Sequence, residues 1–224
     1  MNLNERFKKF ADLEYESIDD AYDIQFKGQK ADYFTFDRSW ILEVKFLETD
    51  RSPNINDYIN KQVDIDPDFP KFYGTVHIEE LIQKHKNTDF IRNQLFNYAA
   101  RNLKAICSKA DKQIAETKNA LKNPLCIGIL VVLNERNDFH DQNFIYQEIS
   151  RLLHKKNPEG DFERKNIHAV WYIHEYQNNK SKYAISDFLI RPTDEYESIR
   201  SLANLLHLDW ISYNGYAFIP SDLK

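Results

Sequence analysis

The segment KADYFTFDRSWILEVKF, residues 30–46, contains two short runs of aromatic and aliphatic residues on either side of the polar triplet Asp37-Arg38-Ser39. Such runs bounded by a turn read as two strands of a hairpin. The second run, over 40–47, carries Glu43 and Lys45 among residues that should be buried. A buried charge is costly unless it is paired, hydrogen-bonded or holding a metal. Alternation along a strand places Glu43 and Lys45 on one face with Ile41 and Leu47, while Trp40, Leu42, Val44 and Phe46 fill the other. If Asp37 and Arg38 form a two-residue turn, Phe36 pairs with Ser39 and Asp32 lies opposite Glu43. A four-residue loop over 36–39 keeps the same register. Opposed residues have Cβ atoms about 5 Å apart on one face, and a slip of one residue would separate them onto opposite faces.

Two carboxylates held that close repel one another unless positive charge stands beside them. Lys45 supplies one such charge, and a divalent ion would supply more. Few carboxylates and oxygen-only donors suit Mg²⁺ or Mn²⁺, which retain bound waters. A lysine beside such a site can orient or deprotonate a water, or neutralise charge developing on a phosphoryl group. The chemistry this grouping suits is phosphodiester hydrolysis.

Working outward, residues 3–16 read as an amphipathic helix with Leu3, Phe7 and Phe10 on one stripe and Glu14 at the next stripe position, facing inward. Residues 22–26 and 31–36 read as strands flanking a turn at Gly28. The polar stretch 48–88, punctuated by Pro53, Pro67 and Pro70, reads as an insertion with one short helix near 77–86. A long helix runs from Thr88 or Asp89 to Lys122 and stops before Asn123-Pro124. The apolar run 125–133 reads as a central, doubly covered strand. A helix over 143–155, a strand over 167–176, a further strand at YAISDFLI, a helix near 194–207 and a hairpin at Asn214-Gly215 complete the chain. The fold class is α/β, a mixed central sheet flanked by helices on both faces.

Gln94 and Tyr98, four residues apart in the long helix, share one helix face, and both can donate to and accept from phosphate or water. Taken together, Asp32, Glu43-Val44-Lys45 and Gln94-Leu95-Phe96-Asn97-Tyr98 resemble the PD-(D/E)xK nuclease superfamily, and within it the RecB-type exonuclease branch. The resemblance covers about residues 3–135. It implies a restriction-endonuclease-like three-layer core, and the chain is expected to form a single domain with its core over about 3–177, 48–88 inserted and 178–224 as a C-terminal extension, the last ninety or so residues being unassigned by the resemblance. It further implies that Asp32, Glu43 and the Val44 carbonyl bind Mg²⁺ or Mn²⁺, that Lys45 assists the attacking water, and that Gln94 and Tyr98 position DNA or the site. Many members place an acid on the first helix, where this chain has Glu14. The chain departs from the pattern at Ala31, where the nominal Pro would stand, at Glu43, where the branch prefers Asp, and at Gly28, four rather than three residues before the Asp.

The formal net charge of −5 excludes a uniformly basic nucleic-acid binder. The helix window 89–122 nonetheless holds seven Lys and Arg against three acids, while 48–88 holds eight acids against five bases. Arg92, Arg101 and Lys104 on that helix are the expected phosphate contacts, positioning a nucleic acid without reading its sequence. DNA is the expected partner and RNA an open one, and a homodimer or partner subunits also stay open. Cys107 and Cys126 suit neither a disulfide framework nor a CxxC site. No apolar run reaches the about 20 residues of a membrane helix, so a cytoplasmic setting without membrane contact is expected. His140, between two Asp residues in a polar loop, reads as a turn, and His174 as a buried or edge strand residue. The alternatives to a metal-dependent nuclease are a nuclease-fold module that binds nucleic acid or a protein without turnover, and an α/β domain whose Glu43–Lys45 pair is structural.

Overall fold

The structure, a computed structural model, describes residues 1–47, 52–71, 78–135, 142–177, 182–193 and 195–216. Six strands form one mixed open sheet in sequence order: β1 (Glu16–Ser17), β2 (Tyr33–Thr35), β3 (Trp40–Phe46), β4 (Ile127–Glu135), β5 (Ala169–Gln177) and β6 (Lys182–Ile190). β3, β4 and β5 run parallel, and the remaining neighbours are antiparallel. The helices among the described residues are α1 (Leu3–Glu14), α2 (Ser52–Ile65), α3 (Ile78–Gln83), α4 (Thr88–Leu121), α5 (Gln142–His154) and α6 (Tyr196–Asn214). None of them is long and apolar enough to cross a membrane.

The sheet's two faces bury separate cores. Ile41 of β3, with Leu130, Val132, Val170 and Tyr172, meets α4 and α5 through Leu103, Cys107, Ile114, Ile145 and Ile149. Trp40 and Leu42, with Ile129, Val131 and Trp171, meet α1 and α6. There Phe7, Phe10, Trp171 and Trp210 interlock through ring contacts of 5.2–5.7 Å between centroids, the tilted and edge-on geometry that aromatic quadrupoles prefer. β4 is buried on both sides, as expected of a central parallel strand. Gly128 on β4 is required by packing, because a Cβ there would strike the Asn166 carbonyl and stand 2.6 Å from Ile114 Cγ2.

The chemistry of the termini explains where helices begin and end. Asn2 and Glu5 form a reciprocal capping box on α1. The Asn87 side chain accepts from Phe90 N at 3.1 Å to start α4, and Lys122 ends it in the left-handed region at φ 53°. Pro53, the second residue of α2, sits in the first turn, where its missing N–H is not needed. The stretch after β3 therefore contains a 14-residue helix that its prolines disguise.

Two expectations are corrected. Residues 22–26 form no strand. β1 and the Ile18 N–H, which donates to Asp32 O at 3.0 Å, already occupy the outer edge of β2, and Ile24 and Phe26 pack on the core as irregular chain. Asn214-Gly215 forms no hairpin. Gly215, at φ 65°, is the left-handed cap of α6. In the C-terminal part, β6 pairs with β5 along nine residues and α6 supplies Ile199, Ala203, Leu206 and Trp210 to the core. The loop containing His140 lies outside the described residues.

Candidate active site

The hairpin between β2 and β3 sets the site. Tyr33 pairs with Leu42, Phe34 with Ile41 and Thr35 with Trp40, so paired numbers sum to 75 and Asp32 stands beside Glu43. A tight turn at Phe36–Ser39 holds this register, with Ser39 N donating to Phe36 O at 3.0 Å. Its central residues Asp37 and Arg38 both have positive φ, at 52° and 62°, matching the turns whose twist suits a hairpin. Arg38 then forks onto Glu16, Nε to Oε2 at 2.8 Å, and onto Asp23, Nη2 to Oδ1 at 3.0 Å. The turn is thereby tied to the chain that precedes it.

Asp32 is held at both ends of its backbone, its N–H on Leu42 O at 3.1 Å and its carbonyl under Ile18 N. Its carboxylate Oδ2 accepts the Val44 N–H at 2.7 Å. Glu43 is fully buried on the α4 side of the sheet; Lys45 Nζ donates to its Oε1, whereas Oε2 is buried with no hydrogen-bond donor. Burial, then the neighbouring Asp32 charge, pushes the Glu43 carboxyl up to about 8 against the opposing pull of Lys45. Burial likewise raises Asp32, and the Val44 N–H only partly offsets it. Burial is the larger cause in both acids, and a side-chain hydrogen bond with Glu43 pulls Asp32 the other way.

Helix α4 covers this face. Gln113 Nε2 donates to Lys30 O at 2.9 Å, and Thr117 Oγ1 accepts the Ala31 N–H at 2.9 Å, pinning the segment that leads into Asp32. One turn before Gln113 stands Lys109, whose charge acts on Glu43. Sequence reasoning counted Lys109 among the basic residues of the helix but did not place it at the site. Its signal was present in the i, i+4 spacing from Gln113, but which turn of a 34-residue helix faces β3 is a matter of docking.

The other expected residues do not converge. Gln94 is exposed on α4, fifteen residues before Lys109, which at 1.5 Å per residue is about 22 Å along the helix axis. Tyr98 lies in the same helix, with its side chain outside the described residues. Glu14 is exposed in the last turn of α1, a helix that covers the Trp40 and Leu42 face, opposite Glu43. The stripe expectation placed it inward, but α1 ends there and the chain turns into β1. Arg92 is exposed and pairs with Asp89 at 3.4 Å, Arg101 is exposed on the next turns, and Lys104 is exposed with its charge acting on Glu163.

Asp32 and Glu43 offer an oxygen-only donor set with one carboxylate oxygen unsatisfied, which fits a hard divalent ion that keeps several waters. Among the described residues, no group of three or more His, Cys, Asp or Glu side chains is gathered to hold a metal. Comparison with protein-family models, with curated proteins and with solved structures finds no match to the chain.

Proposed function

We propose that the chain hydrolyses phosphodiester bonds, in DNA, at the Asp32–Glu43–Lys45 site. The observation that carries this reading is the register that sets Asp32 beside Glu43, with Lys45 bonded to Glu43 and Glu43 Oε2 buried without a donor. The succession of a helix, three strands, helices and a strand supports the resemblance to the restriction-endonuclease-like core of the PD-(D/E)xK superfamily. Asp32 and Glu43 are the residues that would hold Mg²⁺ or Mn²⁺, which when bound lowers the pKa of water and offsets phosphoryl charge. Lys45, about one-fifth exposed, orients the attacking water and takes up or offsets charge at the phosphate. The Val44 N–H, donating to Oδ2, fixes the Asp32 carboxylate beside Glu43.

One observation favours a second reading. The Glu43–Lys45 pair is internally satisfied on one side and, among the described residues, no third acid or histidine joins the two acids, which fits a nuclease-fold module that binds nucleic acid without turnover. Incubation of plasmid and single-stranded DNA with Mg²⁺ or Mn²⁺ separates the two. Cleavage by the wild type, abolished in Asp32→Ala and Lys45→Ala and by a chelator, is expected. Cleavage that survives both substitutions places the chemistry elsewhere, and binding without cleavage in either metal leaves the binding module.

A further inference from the structure

We propose that Lys109 is the phosphate-contacting cation of this site, reaching from α4 toward the ligand held at Asp32, Glu43 and Lys45; this rests on the reading of the site as one that takes a phosphodiester. The docking of α4 carries the inference. Gln113 and Thr117 bond the backbone of Lys30 and Ala31, so the helix face through 113 and 117, one turn on from 109, lies against the segment leading to Asp32. Lys109 stands one turn nearer the start of α4 than Gln113, and it is exposed. On either side of Lys109, Cys107, Ala110 and Ile114 of α4 pack in one core with Ile41, two residues before Glu43 on the same face of β3.

The neighbouring cations of α4 are engaged elsewhere. Arg92 pairs with Asp89, Lys112 with Glu116 at 3.7 Å, and Lys118 is buried. Lys109 makes no salt bridge among the described residues. An uncommitted ammonium next to a lysine-bridged acid pair is placed to take an anionic oxygen of a ligand, leaving the carboxylates to the opposite charge. A phosphate contact of this kind is charge-assisted and directional, and it positions the backbone without reading sequence. The expected track thus crosses α4 at Lys109 rather than at the Arg92–Lys104 stretch nearer its start.

Binding of a fluorescein-labelled DNA duplex, with Ca²⁺ replacing Mg²⁺ to suppress cleavage, tests this across a salt series. Lys109→Gln is expected to weaken binding about tenfold and to lower the slope of log affinity against log salt by about 0.9. Lys109→Arg, and Lys112→Gln as a control for simple loss of charge, should stay within about twofold of the wild type. The inference is overturned if Lys109→Gln binds as the wild type does, if Lys112→Gln weakens binding equally, or if the wild type binds no duplex. If the Lys109 pattern holds but no variant cleaves DNA with Mg²⁺ or Mn²⁺, the hydrolytic reading falls while the role of Lys109 stands.

Discussion

Replacing Glu43 by Gln should make the protein more stable at alkaline pH and leave it unchanged under mildly acidic conditions. Glu43 is fully buried and its carboxyl is pushed from the ordinary 4.5 up to about 8. Between those values the native state holds a proton that the unfolded chain has released, so stability falls as pH rises through this window and levels off above about 8. At about 1.4 kcal/mol per pH unit, the loss accumulates to an order of 4 kcal/mol by about pH 8.5. Gln is neutral at every pH, keeps an acceptor for the Lys45 ammonium and keeps the volume of the site. The variant and the wild type should therefore match near pH 5 and diverge by up to about 4 kcal/mol in favour of the variant near pH 9. Urea unfolding in a chelator, followed by the fluorescence of the buried Trp171 and Trp210, measures both curves. Added Mg²⁺ should then stabilise the wild type at alkaline pH and leave Glu43→Gln unmoved, because only a ligand of the native state shifts the equilibrium. Two stability curves that run parallel from about pH 5 to about pH 9 would refute the burial argument.

Other outcomes test the scaffold. Asp37 is exposed with φ 52°, so Asp37→Gly should raise stability by about 0.5 kcal/mol by relieving left-handed strain, read as a higher urea midpoint with unchanged slope. Gly128→Ala drives a methyl into the Asn166 carbonyl and Ile114 and should cost about 3 kcal/mol, seen as a drop in melting temperature. Gln94→Ala and Glu14→Ala stand apart from the acid pair and should leave DNA cleavage within about twofold of the wild type. A large loss in either would show that these side chains reach the reaction after all.

Much of this molecule is written in local pattern. The strands β2 and β3, the apolar β4, the long α4 with its Asn87 start and its stop before Asn123-Pro124, and α5 all follow from periodicity and end signals that act over a few residues. Even the pairing of Asp32 with Glu43 is local, because a turn of fixed length sets the register of both strands and alternation settles the face. α2 escaped because Pro53 reads as a breaker unless the helix is known to begin beside it.

What no local rule decides is which distant elements meet. The docking of α4 rests on contacts between residues more than eighty positions apart, Gln113 with Lys30 and Thr117 with Ala31. That docking sets the turn of Lys109 on the Glu43 face of the sheet and leaves Gln94 about 22 Å further along the axis. The same holds for α1, whose Phe7 and Phe10 follow Trp171 and Trp210 to the opposite face and carry Glu14 away from the acids. By itself the sequence determined the acid pair and its lysine, because hairpin geometry is a matter of neighbours. The company they keep was decided by tertiary packing, because burying apolar area is indifferent to which turn of a helix delivers it.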